Sequence, residues 1–210
     1  ELRPIRIGLW DTYGGSMASG WIRWLLEQFE FPYELVFAPA LDAGDLNSRF
    51  DVLIFVGGAI PRVQAAGREA GAGMRDFQPP PANVPDKYKD RIGRITVEKT
   101  VPILRQFVEA GGTILALDSA TVLAEHFKLP LRNALVEKAP DGTDTPLKSE
   151  KFYIPGSVLR ARVDNTDPLA HGMPDTVDVF FDNTPAWTLL PDAAINGVRP
   201  VAWFDDGKLL

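Results

Sequence analysis

With 210 residues, 45% of them hydrophobic and 24% charged, the chain is long enough for one good core. It contains no apolar run near the roughly 18 residues that a membrane-spanning helix requires. A net charge of −6, without clustered Lys and Arg, excludes the phosphate-neutralising footprint of a nucleic-acid binder. The absence of cysteine excludes disulfides, thiolate metal sites and a cysteine nucleophile, and leaves the compartment open.

Length favours a single domain over 1–210. The chain opens on a strand pattern over 5–10 in RPIRIGLW, then the loop DTYGGSMAS, then a helix over about 20–29. In that helix Trp21, Trp24, Leu25 and Phe29 recur at helical spacing and Ile22 and Leu26 widen the stripe, which predicts packing against a sheet. Phe31-Pro32 stops the helix, a short strand follows over 33–37, and a turn and short helix occupy 41–50. DVLIFVGG is a buried strand ending in a glycine pair, so the alternation indicates βαβ units and a parallel sheet.

Over 59–94 the pattern fails: the stretch is rich in Gly, Ala, Pro and charge, and is too long for an ordinary βα loop. A helix is predicted over 96–109, with Pro102 in or near its first turn and Ala110-Gly111-Gly112 as its C-cap. TILALDSATVLAEHF then reads as a strand, a small polar turn at Asp118-Ser119 and a short helix. Beyond Pro130 the chain becomes β-rich, with strands over 158–163, 177–181 and 201–204. VAWFDDGKLL looks like two strands, 201–204 and 209–210, around an Asp-Asp-Gly turn with the second barely begun, which suggests a fragment of a longer chain.

The Asp118-Ser119 turn is the first candidate for chemistry, because a strand-to-helix bend can expose a serine hydroxyl beside helix N–H groups. The hydrolase elbow G-x-S-x-G needs glycines where this chain has Leu117 and Thr121. A base is also needed, and His126 and His171 are the only histidines. His126 follows seven residues later on the same helix, about 10 Å along its axis, beyond reach of Ser119. A helix cap is therefore the favoured role of Asp118 or Ser119. The rival is a Ser-dependent hydrolase, with Ser119 as nucleophile, His171 as base and Asp118 or Asp167 orienting it.

No metal-binding motif is present; Asp141, Asp144 and Glu150 lack the spacing of a calcium loop and read as a solvated turn. Gly14-Gly15 fit no nucleotide-loop pattern and most simply permit a tight turn, with a small anion at the following helix N-terminus as the lesser reading. His171 reads as a turn residue, and Phe180, Phe181 and Trp187 as core or interface aromatics. A third functional reading is a small-ligand sensor, using the cleft at the sheet's C-terminal edge bordered by Gly57, Gly58, Ser16 and Ser119.

DVLIFVGG, LRQFVEAGGTILAL and DSATVLAEHF, in that order, resemble the class I glutamine amidotransferase-like fold. More narrowly, GWIRWLLEQFEFPYELV, LPLRNAL, FYIPGSVLRARVD and DPLAHGMPDTVDVFFDN resemble the amidotransferase-like domain that follows the catalytic domain of bacterial zinc carboxypeptidases. The resemblance implies an α/β fold: a flavodoxin-like, doubly wound, mostly parallel sheet with a β-rich C-terminal extension and an irregular insertion over 59–94. It implies an accessory domain of a secreted or periplasmic peptidase, partnered by the upstream catalytic domain and taking a peptide or glycan ligand, with homo-oligomerisation left open. Activity does not carry over. The family's elbow has Cys followed by Gly at the next position but one, where this chain has Asp118-Ser119-Ala120. The implied segment is a non-catalytic module with a degenerate active site and no cofactor of its own, zinc being expected only in an upstream peptidase domain.

Overall fold

The structure, a computed structural model, describes residues 4–62, 78–140, 142, 144–182 and 184–205. They fall into two compact units, Glu1–Phe127 and Lys128–Leu210.

In the first unit the apolar run after Asp51 becomes β3 (Val52–Phe55), every residue of which is buried, as expected of a strand covered on both faces. It lies between β1 (Ile7–Trp10) and β4 (Thr113–Ala116), and β2 (Tyr33–Val36) flanks β1, giving a four-stranded sheet of order β2-β1-β3-β4. All three pairings are parallel, with Leu9 opposite Leu35 on one side and Ile54 on the other. The chain moves outward from β1 to β2, then jumps back across β1 to β3. Right-handed crossovers therefore place α1 (Met17–Gln28) on one face and α2 (Ala38–Asp42), α3 (Leu46–Arg49) and α4 (Thr100–Glu109) on the other. Side chains tie the second set together: Thr100 of α4 donates to Asp42 at 2.6 Å, and Asn47 of α3 donates to the Phe107 carbonyl at 3.0 Å. Leu9, Leu41, Leu53, Phe55, Leu104 and Phe107 form the inner core. The short α5 (Leu123–His126) ends the unit.

Several boundaries differ from the sequence reading. The helix expected over 20–29 begins at Met17, because Ser16 accepts the N–H of Ser19 and caps it. Its packed face is also different. Ala18, Ile22 and Leu26 meet the core and Ser19 is fully buried, whereas Trp21, Trp24, Leu25 and Phe29 are exposed. Small residues at 18 and 19 let the helix approach the sheet closely, and where apolar residues cover so wide an arc, periodicity alone does not choose the inner stripe. The helix expected over 41–50 is two short pieces, separated where Gly44 and Asp45 turn left-handed with φ of 77° and 52°. The helix expected over 96–109 starts at Thr100, which puts Pro102 in the first turn, where no intrahelical N–H is lost. Within 59–94, residues 63–77 lie outside the described residues, and the remainder includes 3₁₀ turns at Pro81–Asn83 and Asp86–Arg91.

The second unit is built from antiparallel pairs. β8 (Ser157–Val163) and β9 (Thr176–Phe181) pair along six residues, and β11 (Ala202–Trp203) joins the other edge of β8. β5 (Leu131–Asn133) pairs with β10 (Trp187–Leu189), and β6 (Val136–Lys138) with β7 (Asp144–Pro146). Strand alternation sends Phe181 inward, where Phe152 and Phe204 meet it edge-on at centroid distances of 6.2 and 6.5 Å, and sends Phe180 outward to solvent. The second strand of the expected terminal hairpin, 209–210, lies outside the described residues.

Candidate functional site

The C-terminal ends of β1, β3 and β4 feed the loops that carry Ser16, Gly57-Gly58 and Asp118-Ser119, and the strand order reverses between β1 and β3, where open α/β sheets place ligands. Ser119 and Gly58 are brought together: the Ser119 hydroxyl accepts the Gly58 N–H at 3.0 Å. Asp118 sits at φ 53°, a left-handed conformation that is costly for a residue with a side chain. Its carboxylate lies over Gly57, where an added Cβ would stand 2.2 Å from Oδ2. The expected cap is not formed. The N-cap position of the following 3₁₀ turn, Asp118–Val122, is held by Leu117, so neither Asp118 nor Ser119 occupies it. Ser119 instead ties the β4 loop to the β3 loop. Ser16 is occupied as the cap of α1.

His126 donates from Nε2 to the Pro61 carbonyl at 2.7 Å, since a carbonyl can only accept. His171, exposed, lies in the second unit just after the 3₁₀ turn Pro168–Ala170. Asp167 caps that turn by accepting the Leu169 N–H at 2.9 Å, and Arg199 stands 3.4 Å from it. Asp144 pairs with Lys138 at 2.9 Å, and Asp141 lies outside the described residues. Among the described residues no group of three or more His, Asp or Glu is arranged to hold a metal ion.

Sequence reasoning missed a cavity of about 430 Å³ on the β1–β2 side of the first unit. The loop after β1 forms one wall, with Gly14 and Gly15 at φ 88° and 78° making the expected tight turn. Arg23 reaches it from α1 and Arg91 from the 3₁₀ turn Asp86–Arg91. The Arg91 guanidinium lies 5.0 Å from the Tyr88 ring centroid and 5.3 Å from that of Phe37. Arg23 donates from Nε to the Tyr33 hydroxyl at 3.3 Å, a contact that raises its pKa, and Tyr33 in turn donates to Glu27 at 2.6 Å. Buried Asp11 accepts the N–H groups of Thr12 and Ser16 through one oxygen, each at 2.9 Å. Gln78 holds the walls together, donating to Thr12 Oγ1 at 2.7 Å and exchanging hydrogen bonds with the Gly93 backbone. The available signal was the single basic residue of α1, Arg23, and the charged, Tyr-containing stretch DKYKDR; nothing local connects positions 68 residues apart.

No family model and no curated protein matches the chain. Among solved structures it is similar to a Thermoplasma acidophilum protein described as a proposed GMP synthase subunit. Identity is 14%, coverage is 91% of this chain and 71% of that one, and the TM-score is 0.49. The strand order, parallel pairings and crossovers of the first unit, with the antiparallel strands that follow, make this an α/β protein with a flavodoxin-like sheet and a β-rich C-terminal part.

Proposed function

We propose that the chain is a non-catalytic accessory module of a zinc carboxypeptidase-like protein, which scaffolds the peptidase domain or holds a peptide or glycan near it. The observation that carries this reading is the turn after β4. It has the bend and the left-handed residue of a reactive elbow, yet it presents Asp118 and a Ser119 hydroxyl that bridges to Gly58. The one histidine of the first unit donates to a backbone carbonyl. Among the described residues of the first unit no histidine therefore serves Ser119 as a base, and a serine without one is a weak nucleophile at neutral pH. On this reading zinc belongs to a separate peptidase domain, the module is secreted or periplasmic, and Gly57, Gly58, Ser16 and Ser119 border a ligand cleft.

The test is a turnover assay of the purified chain with p-nitrophenyl esters, aryl amides and glutamine, beside Ser119→Ala. Neither protein is expected to exceed the uncatalysed rate. Robust hydrolysis abolished by Ser119→Ala would overturn the proposal in favour of a serine hydrolase.

A further inference from the structure

We infer that the cavity between α1, the loop after β1 and the Asp86–Arg91 turn is a binding site for a small carboxylate that carries an aromatic or other apolar group. Arg91 is the centre of the argument. Its guanidinium lies over the Tyr88 and Phe37 rings, and no carboxylate among the described residues pairs with it. The two ring contacts take none of its N–H groups in a hydrogen bond to a carboxylate, which leaves the guanidinium fork for a planar, two-oxygen acceptor. Arg23 lines the same cavity and commits only Nε, to Tyr33.

The chemistry of the walls selects among anions. Two guanidinium groups and the Asp11 carboxylate give the lining a formal charge of about +1, which suits a monoanionic carboxylate better than a phosphate dianion. Asp11 already takes the N–H groups of Thr12 and Ser16, so the anion falls to the arginines rather than to the loop backbone. Leu35, Phe37, Tyr13 and Tyr88 supply apolar surface for the rest of the ligand. The groove, about 430 Å³ and open to solvent, has room for a small molecule. Gln78 pins the Gly93 backbone to Thr12, so the two walls are held before any ligand arrives. The inference is independent of the accessory reading, since a catalytic chain could carry the same site.

Isothermal titration of the chain with phenylacetate, N-acetylphenylalanine and phenylacetamide tests it. At least one carboxylate should bind, with the neutral amide weaker by about tenfold or more. The preferred carboxylate distinguishes a free acid from a peptide C-terminus. Arg91→Gln and Arg23→Gln should each weaken binding by about tenfold, with circular dichroism and melting temperature unchanged. Arg91→Lys should not restore it, because a lysine cannot offer the planar two-donor fork. The site is refuted if neither carboxylate binds at millimolar concentration, if the amide binds as well as the acids, or if folded Arg91→Gln and Arg23→Gln proteins retain wild-type affinity. The amide comparison needs no variant, so a misfolded mutant does not rescue the idea.

Discussion

Thr100 is fully buried at the start of α4, and its hydroxyl donates to Asp42 at 2.6 Å while accepting the Thr96 N–H at 3.0 Å. Thr100→Val keeps the shape and removes both bonds, leaving Asp42 with Lys99 at 3.5 Å. A destabilisation of about 1–3 kcal/mol is expected, and Thr100→Ser should recover most of it; urea unfolding of the three proteins checks this. Gly8 is a second buried constraint, since a Cβ there would stand 2.7 Å from Leu53 and 3.0 Å from Phe50 and Val36. Such contacts were illegible in the sequence because their partners are distant: Thr100 and Asp42 are 58 residues apart, and Ser119 and Gly58 are 61. A helix cap was the natural reading of Ser119 from its neighbours alone, and the tertiary partner displaced it. What the sequence did disclose at this scale was what was missing, namely the elbow glycines, a cysteine and a nearby base.

Both long helices end in the same way. In α4 the Gly111 and Gly112 N–H groups donate to the Val108 and Phe107 carbonyls, and Gly111 takes φ 94° at no steric cost. In α1 the Glu30 and Phe31 N–H groups donate to the Glu27 and Leu26 carbonyls, but the left-handed position, at φ 58°, is held by Glu30. Glu30→Gly should therefore stabilise the protein by about 1 kcal/mol, whereas Glu30→Ala should not, as thermal melts of the two variants will check. The glycine pair made the end of α4 readable, while α1 offered only Phe31-Pro32 as a stop. Its start was readable in principle, because Ser16 stands one residue before Met17, yet the loop's glycines drew the expected boundary later. The inner face was the harder problem. Trp21, Trp24 and Phe29 suggested burial by their helical spacing, but in the structure Ala18, Ser19, Ile22 and Leu26 face inward and those aromatics remain outside.

Across the whole molecule, the parallel sheet was legible because strand and helix periods alternate, and a crossover rule converts that alternation into layers. The pairing of β8 with β11 was not, since antiparallel partners so far apart leave no local signature. Neither was the two-arginine cavity, which exists only once the chain has folded back on itself. The second unit also has an acid sensitivity. Hydrogen bonding from Arg160 holds Asp178 below its ordinary pKa, and the Thr166 hydroxyl and N–H do the same for Asp164. A carboxylate depressed on folding contributes stability that is present above its unfolded pKa, about 3.9, and is lost as pH falls through the lower folded value. Asp178 is exposed and Asp164 only partly buried, so the effect should be small: urea midpoints of wild type should fall between pH 5 and pH 2, and Asp178→Asn should flatten that slope. The outward face of α1 has an optical consequence. Trp21 and Trp24 meet edge-on at 6.2 Å and are 64% and 54% exposed, Trp187 and Trp203 are partly exposed, and Trp10 is the one tryptophan that is buried. Native emission is therefore already dominated by indoles in contact with water, so a shift in fluorescence colour on unfolding reports chiefly on Trp10, at the end of β1 and next in sequence to Asp11 of the proposed site.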